Sequence, residues 1–110
     1  MVAVIEQKKT ALAELCRRYR VERLYLFGSA LSGRFDARRS DLDFLVRFSD
    51  RQPTGEYADR YLGFAEALER LFDRPVDLVT EESIRNPFFR HELEATRQLL
   101  YEQPSEEASV

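Results

Sequence analysis

The stretch Leu24–Val46, LYLFGSALSGRFDARRSDLDFLV, joins two hydrophobic segments through a polar loop. The first segment ends in Gly28 and Ser29, and the second begins with Asp41 and Asp43, one residue apart. Two carboxylates at this spacing on a strand point to the same face, with their Cα atoms about 7 Å apart. Such a pair can hold a hard divalent cation, and a glycine-serine turn can hold a phosphate. Together they predict a site of phosphoryl or nucleotidyl transfer.

Length and composition limit the classes of protein that this chain can belong to. Its 110 residues are enough for one compact domain, and 44% of them are hydrophobic, which is enough for a core. The net charge of -3 argues against a stand-alone DNA binder. The single cysteine, Cys16, can form neither an internal disulfide nor a zinc site. The apolar run at the N-terminus is too short for a signal peptide, and no apolar stretch is long enough to span a membrane, so we predict a cytoplasmic protein.

Hydrophobic periodicity predicts helices that alternate with short strands. The predicted helices cover residues 3–19, Tyr57–Phe72 and Asn86–Tyr101, with one or two further helical turns over Ser29–Gly33; the predicted strands cover Glu22–Phe27, Leu42–Phe48 and Pro75–Val79. This order predicts an α/β (α+β) fold, with a small mixed sheet of three to four strands flanked by helices. Residues 1–101 are predicted to form a single domain, and residues 102–110 a flexible acidic tail.

A third carboxylate, Asp77, lies within the otherwise apolar segment Pro75–Val79. A lone carboxylate buried in the middle of a strand is costly unless it is paired or binds a metal. Asp77 could pair with Arg47 or Arg74, or lie at a sheet edge in water. If its strand instead lies beside the one that follows Asp41, the three aspartates converge. They could then hold two Mg²⁺ ions about 4 Å apart, with Asp77 near the attacking hydroxyl as metal ligand or general base.

The loop between the two halves of the motif is basic, with Arg34, Arg38 and Arg39. These side chains could neutralise a triphosphate, grip RNA or simply face solvent. Their position between the glycine-serine turn and the aspartates favours the phosphate role.

The last predicted helix poses a question about its aromatic residues. At helical spacing, its inner face consists of Phe89, Leu93, Thr96 and Leu100. Phe88 and Phe89 are adjacent and therefore point in different directions, so both are hard to bury in one small domain. Either one of them faces a partner, or one lies in the core and the other packs under the N-terminal helix.

Three segments together resemble the minimal nucleotidyltransferases of the DNA polymerase β-like superfamily. They are Leu26–Ser29, Ser40–Val46 and Val76–Val79, and the resemblance extends over most of the chain. It implies the nucleotidyltransferase fold, which is similar to the palm of polymerase β. It also implies that Gly28 and Ser29 bind the nucleotide phosphates.

The resemblance implies roles for the acidic and basic residues as well. Mg²⁺ would be held by Asp41, Asp43 and Asp77, which would also be the catalytic residues. Members of the family usually carry an arginine soon after the glycine-serine turn, and this chain does not. Contact with the triphosphate is therefore predicted for Arg34 or Arg39, with Arg38 as a further candidate.

The family resemblance also implies a function and a partner. It implies an Mg²⁺-dependent antitoxin that transfers AMP from ATP to a tyrosine of a cognate HEPN toxin, an all-helical RNase, and neutralises it in a complex. Two alternatives stay open: a non-catalytic antitoxin that acts by occlusion, and a nucleotidyltransferase that modifies a small molecule. Neither membrane association nor direct DNA binding is expected.

Overall fold

The computed structural model describes residues 3–28 and 41–104 of the chain. In chain order, the elements in these ranges are α1 (Ala3–Gln7), α2 (Lys9–Arg18), β1 (Val21–Phe27), β2 (Leu42–Phe48), α3 (Gly55–Phe72), β3 (Val76–Thr80), α4 (Pro87–Thr96) and β4 (Gln98–Glu102). A 3₁₀ turn over Glu81–Ser83 connects β3 to α4. None of the described helices is long and apolar enough to cross a membrane.

The described strands form one mixed sheet in the order β3-β2-β1-β4. β1 runs antiparallel to both β2 and β4, whereas β2 and β3 run parallel. The parallel pair is possible because α3 carries the chain back along the sheet between the two strands. This architecture confirms the predicted fold class. β3 and β4 are the edge strands, so Asp77 lies on an edge.

The two faces of the sheet are assigned by the alternation of β2. Leu42, Phe44 and Val46 are buried in the main core, whereas Leu45 is buried in a second cluster on the opposite face. This is the alternation expected from the sequence, because successive side chains on a strand point to opposite faces. Helices α2 and α3 cover the first face, and α4 covers the second through Leu93. Asp43 is two residues before Leu45 on β2, so its side chain points to the same face as Leu45, the face that α4 covers.

The predicted last helix is wrong at its C-terminal end. α4 ends at Thr96, and the residues after it form β4, which pairs with β1. Arg97 makes the transition, with extended backbone angles of φ -63° and ψ 150°. Leu93 and Leu100 are spaced as on a helix, yet Leu100 reaches the main core from β4. The free edge of β1 offers hydrogen bonds that spacing along the chain cannot reveal, and tertiary pairing overrides local periodicity.

The predicted first helix is divided into two. It is interrupted at Lys8, and α1 and α2 lie on either side. The Lys8 ammonium group donates a hydrogen bond to the backbone carbonyl of Leu71, near the end of α3. Ile5 and Leu12 are nevertheless both buried in the main core. The segment therefore keeps its amphipathic pattern across the break, and the Lys8 hydrogen bond connects it to α3.

The side chain of Asn86 caps the N-terminus of α4. It accepts hydrogen bonds from the backbone N–H groups of Phe88 (2.9 Å) and Phe89 (3.4 Å). We expect Asn86→Ala to lower the free energy of unfolding by about 1 kcal/mol, because two amide donors lose their acceptor. Asn86→Asp should retain wild-type stability. Urea unfolding followed by circular dichroism measures both variants, and an alanine variant as stable as the wild type would contradict the role of the cap.

Candidate active site

Two of the predicted site residues, Asp43 and Asp77, lie side by side on neighbouring strands. They are paired in the parallel register between β2 and β3. Paired residues on neighbouring strands point to the same face and lie about 4.8 Å apart along the hydrogen-bonding direction. Since Phe44 is buried in the main core below the sheet, both carboxylates belong to the opposite face. The structure therefore brings together two carboxylates that are 34 positions apart in the chain.

Asp41 lies at the entry to β2, two residues before Asp43, and is exposed. Pairing between the strands begins next to it, where the Leu42 N–H donates to the Pro75 carbonyl at 3.2 Å. Asp41 is therefore at the end of the sheet where both parallel strands begin. Its neighbours on the preceding loop lie outside the described residues.

Gly28 lies against the carboxylate of Asp43. Its φ of +78° is in the left-handed region, which a glycine adopts readily. A Cβ atom built on Gly28 would overlap Asp43 Oδ2 and would lie 3.1 Å from Asp43 Cγ. Across the sheet, Phe27 is the register partner of Asp43. The glycine turn and the aspartate thus share one end of the sheet, and only a residue without a side chain fits between them.

Asp77 is exposed because β3 is an edge strand. The argument that a buried carboxylate needs a partner therefore does not apply to it. Of the alternatives left open for Asp77, the position at a sheet edge is the one that the structure shows, and Arg47 instead contacts Glu22 at 2.7 Å and Glu81 at 3.5 Å. The Asp77 carboxylate is close enough to Tyr61 to help raise the pKa of that phenol, although burial of the phenol is the larger cause.

Tyr61 fixes the outer edge of β3 beside Asp77. Its hydroxyl donates a hydrogen bond to the backbone carbonyl of Leu78. Further along the same edge, the Ser83 hydroxyl donates to the Thr80 carbonyl at 2.8 Å. These side chains occupy carbonyls that an added strand would need, so the edge is protected against pairing with another chain.

Asp41, Asp43 and Asp77 do not form a compact group of metal ligands in this structure. Within residues 3–28 and 41–104, no three His, Cys, Asp or Glu side chains are grouped closely enough to hold a metal ion. The structure brings Asp43 and Asp77 together and places Asp41 at the same end of the sheet. The role of these residues as metal ligands stays a prediction.

The predicted phosphate-binding residues other than Gly28 lie outside the described residues. These are Ser29, Arg34, Arg38 and Arg39, together with the predicted helical turns over Ser29–Gly33. Their roles also stay predictions.

The sequence-based site did not include Phe89. Its ring contacts Phe27 edge to face, with the ring centroids 6.5 Å apart. Phe27 is the partner of Asp43 across the sheet, so Phe89 lies on the border of the carboxylate pair. The available signal in the sequence was the pair of adjacent aromatic residues in the last helix. The sequence could not indicate that the start of α4 lies against the end of β1, where Phe27 is.

Comparison with known protein families matches residues 8–100 to the nucleotidyltransferase domain. The chain belongs to the nucleotidyltransferase family. The match covers both parallel strands, the glycine turn and the three aspartates, so the resemblance seen in the sequence and the predicted enzyme class are confirmed.

Two individual proteins that are similar to this nucleotidyltransferase are themselves described as nucleotidyltransferases. A Methanocaldococcus jannaschii protein named "Putative protein adenylyltransferase" is 34% identical over 77 residues, which cover 70% of this chain and 74% of that protein. A solved structure described as a "putative minimal nucleotidyltransferase" is 28% identical and aligns with a TM-score of 0.71 over 88% of this chain and 93% of that one.

A second solved structure is similar to this chain in fold. It is the structure of a tri-AMPylated Shewanella oneidensis HEPN toxin in complex with an MNT antitoxin. It is 20% identical, with a TM-score of 0.61 over 94% of this chain and 76% of the matched chain. At this identity the similarity concerns the fold.

Proposed function

We propose that this nucleotidyltransferase is an antitoxin that transfers AMP from ATP to a tyrosine of a cognate HEPN RNase toxin and neutralises it in a complex. The observation that carries the proposal is the pairing of Asp43 with Asp77 beside the Gly28 turn. The relative named as a protein adenylyltransferase supports a protein acceptor. The complex of an AMPylated HEPN toxin with an MNT antitoxin supports the identity of the partner.

The donor set fits Mg²⁺. Carboxylate oxygens are the ligands that this hard cation takes, and two of them stand side by side on strands of fixed register. We propose that Asp41, Asp43 and Asp77 hold the metal. When bound, Mg²⁺ supplies positive charge that offsets the charge of the triphosphate.

The chain's own residues would perform the remaining steps. Gly28 and Ser29 would bind the phosphates by donating hydrogen bonds from their backbone N–H groups, and Arg34 or Arg39 would contact the triphosphate. The acceptor hydroxyl oxygen forms a bond to the α-phosphorus while the bond to the β-phosphate oxygen breaks and pyrophosphate leaves. We propose that Asp77, which is paired with Asp43 in the strand register, takes the hydroxyl proton.

Intact-mass measurement of the co-expressed HEPN partner tests this proposal. With the wild-type chain, we expect the mass of the partner to increase by whole AMP units. With Asp41→Ala, the increase should disappear, whereas Asp50→Asn, which changes an exposed carboxylate after the other end of β2, should leave it intact. If the wild-type chain neutralises the toxin and the partner's mass does not change, neutralisation is by occlusion and the proposed reaction is wrong.

A further inference from the structure

Phe88 and Phe89 remain exposed at the start of α4. The side chain of Phe88 is 84% exposed and that of Phe89 is 41% exposed. The alternative in which one ring lies in the core and the other packs under the N-terminal helix is therefore wrong. The Asn86 cap holds the first turn of α4, so the two rings project from a defined backbone. Large exposed aromatic residues at a fixed position commonly mark an interaction surface.

One of these rings, that of Phe89, adjoins the candidate active site. Phe89 contacts Phe27, which lies opposite Asp43 in the β1–β2 register. Phe27 and Phe89 therefore border the carboxylate pair on the face that α4 covers. Phe88 precedes Phe89 on the first turn of α4, and we call the three phenylalanines the aromatic rim. Phe27 is buried, so Phe88 and Phe89 supply the rim's accessible surface.

We propose that the aromatic rim is the surface on which the protein acceptor of AMP docks. This inference rests on the proposed function. Transfer requires the acceptor hydroxyl to come within bonding distance of a phosphorus held beside Asp43 and Asp77. A protein that presents its hydroxyl there must cover the residues that border the site, and the rim is at that border. Aromatic side chains that are buried on binding commonly supply a large part of the affinity.

The groove beside β3 is the competing surface. It is lined by residues of α3 and β3 together with Ser83, and it contains Leu62, which is 61% exposed. Its strand edge already has carbonyls occupied by the hydroxyls of Tyr61 and Ser83. Leu62 lies on α3, which packs on the opposite face of the sheet from α4. Leu62 is therefore a matched control for Phe88, because it is an exposed apolar residue on the other side of the sheet.

Calorimetric titration of the unmodified HEPN partner, without nucleotide, tests the inference. We expect Phe88→Ser to weaken binding at least tenfold. Phe88→Leu, which keeps an apolar side chain, should stay within about threefold of the wild type, and Leu62→Ser should bind as the wild type does. Because Phe88 is 84% exposed, its replacement should leave the fold intact, which circular dichroism checks. Binding of Mg²⁺-ATP should be unchanged in all three variants.

Three results would overturn the inference. The first is equal affinity of Phe88→Ser and the wild type for the partner, or no binding by the wild type. The second is a loss of affinity in Leu62→Ser alone, which would move the docking surface to the groove. The third is a loss of Mg²⁺-ATP binding in Phe88→Ser, which would assign the ring to the nucleotide. If the wild type binds the partner but transfers no AMP, the proposed reaction fails while the affinities still decide the docking surface.

Discussion

Asp43→Asn and Asp77→Asn are each expected to lower the rate of AMP transfer by roughly 10²–10³-fold. An amide keeps the shape of the carboxylate but lacks the negative charge that holds a hard cation, and it cannot take a proton from the acceptor hydroxyl. The measurement is the initial rate of label transfer from ATP to the HEPN partner at saturating Mg²⁺. Asp50→Asn serves as the control, because this exposed residue follows the far end of β2.

The stability of Asp77→Asn separates a catalytic role from a structural one. Asp77 faces Asp43 across the strand register, and like charges in this position are destabilising. We therefore expect Asp77→Asn to be as stable as the wild type or slightly more stable, although it transfers AMP much more slowly. A large loss of stability in this variant, or transfer at the wild-type rate, would contradict the proposed role of the carboxylate.

Gly28→Ala is expected to lower the rate of transfer by about 10²-fold and to destabilise the fold. The alanine Cβ would overlap the Asp43 carboxylate oxygen, so the carboxylate must move, and small displacements of reacting groups can cost this much. The backbone angle of +78° adds about 1 kcal/mol of strain for a residue with a side chain. Transfer assays and urea unfolding measure the two effects.

Gly55→Ala is the matched control for this substitution. Gly55 opens α3, and a Cβ atom there would meet nothing within 4 Å. Alanine favours helix over glycine by up to about 1 kcal/mol, so this variant should be fully active and at least as stable as the wild type. If both glycine variants behave alike, the contact between Gly28 and Asp43 has no special role.

The strands that carry the aspartates could be predicted with good bounds, and the reason is local. β2 alternates apolar residues on one face with Asp43, Leu45 and Arg47 on the other, so its pattern alone indicated a strand and its buried face. Glycine before a loop and aspartates at the start of a strand are likewise local signals. The family resemblance then added the fold and the enzyme class, which the family comparison confirms.

The last segment of the chain shows the limit of such local signals. Leu93 and Leu100 recur at helical spacing, but the helix ends between them and Leu100 belongs to β4. β4 exists because the edge of β1 has unpaired backbone groups that it can satisfy. The exposure of Asp77 has a similar origin, since it depends on β3 being at an edge of the sheet.

By itself, the sequence determined the alternating strands, the glycine turn and the three aspartates, because each depends on residues that are neighbours in the chain. Only the tertiary structure decided that Asp77 stands beside Asp43, that Gly28 touches the Asp43 carboxylate and that the start of α4 borders them. These contacts join residues far apart in sequence. They exist because strand order and helix packing bring distant segments to one end of the sheet.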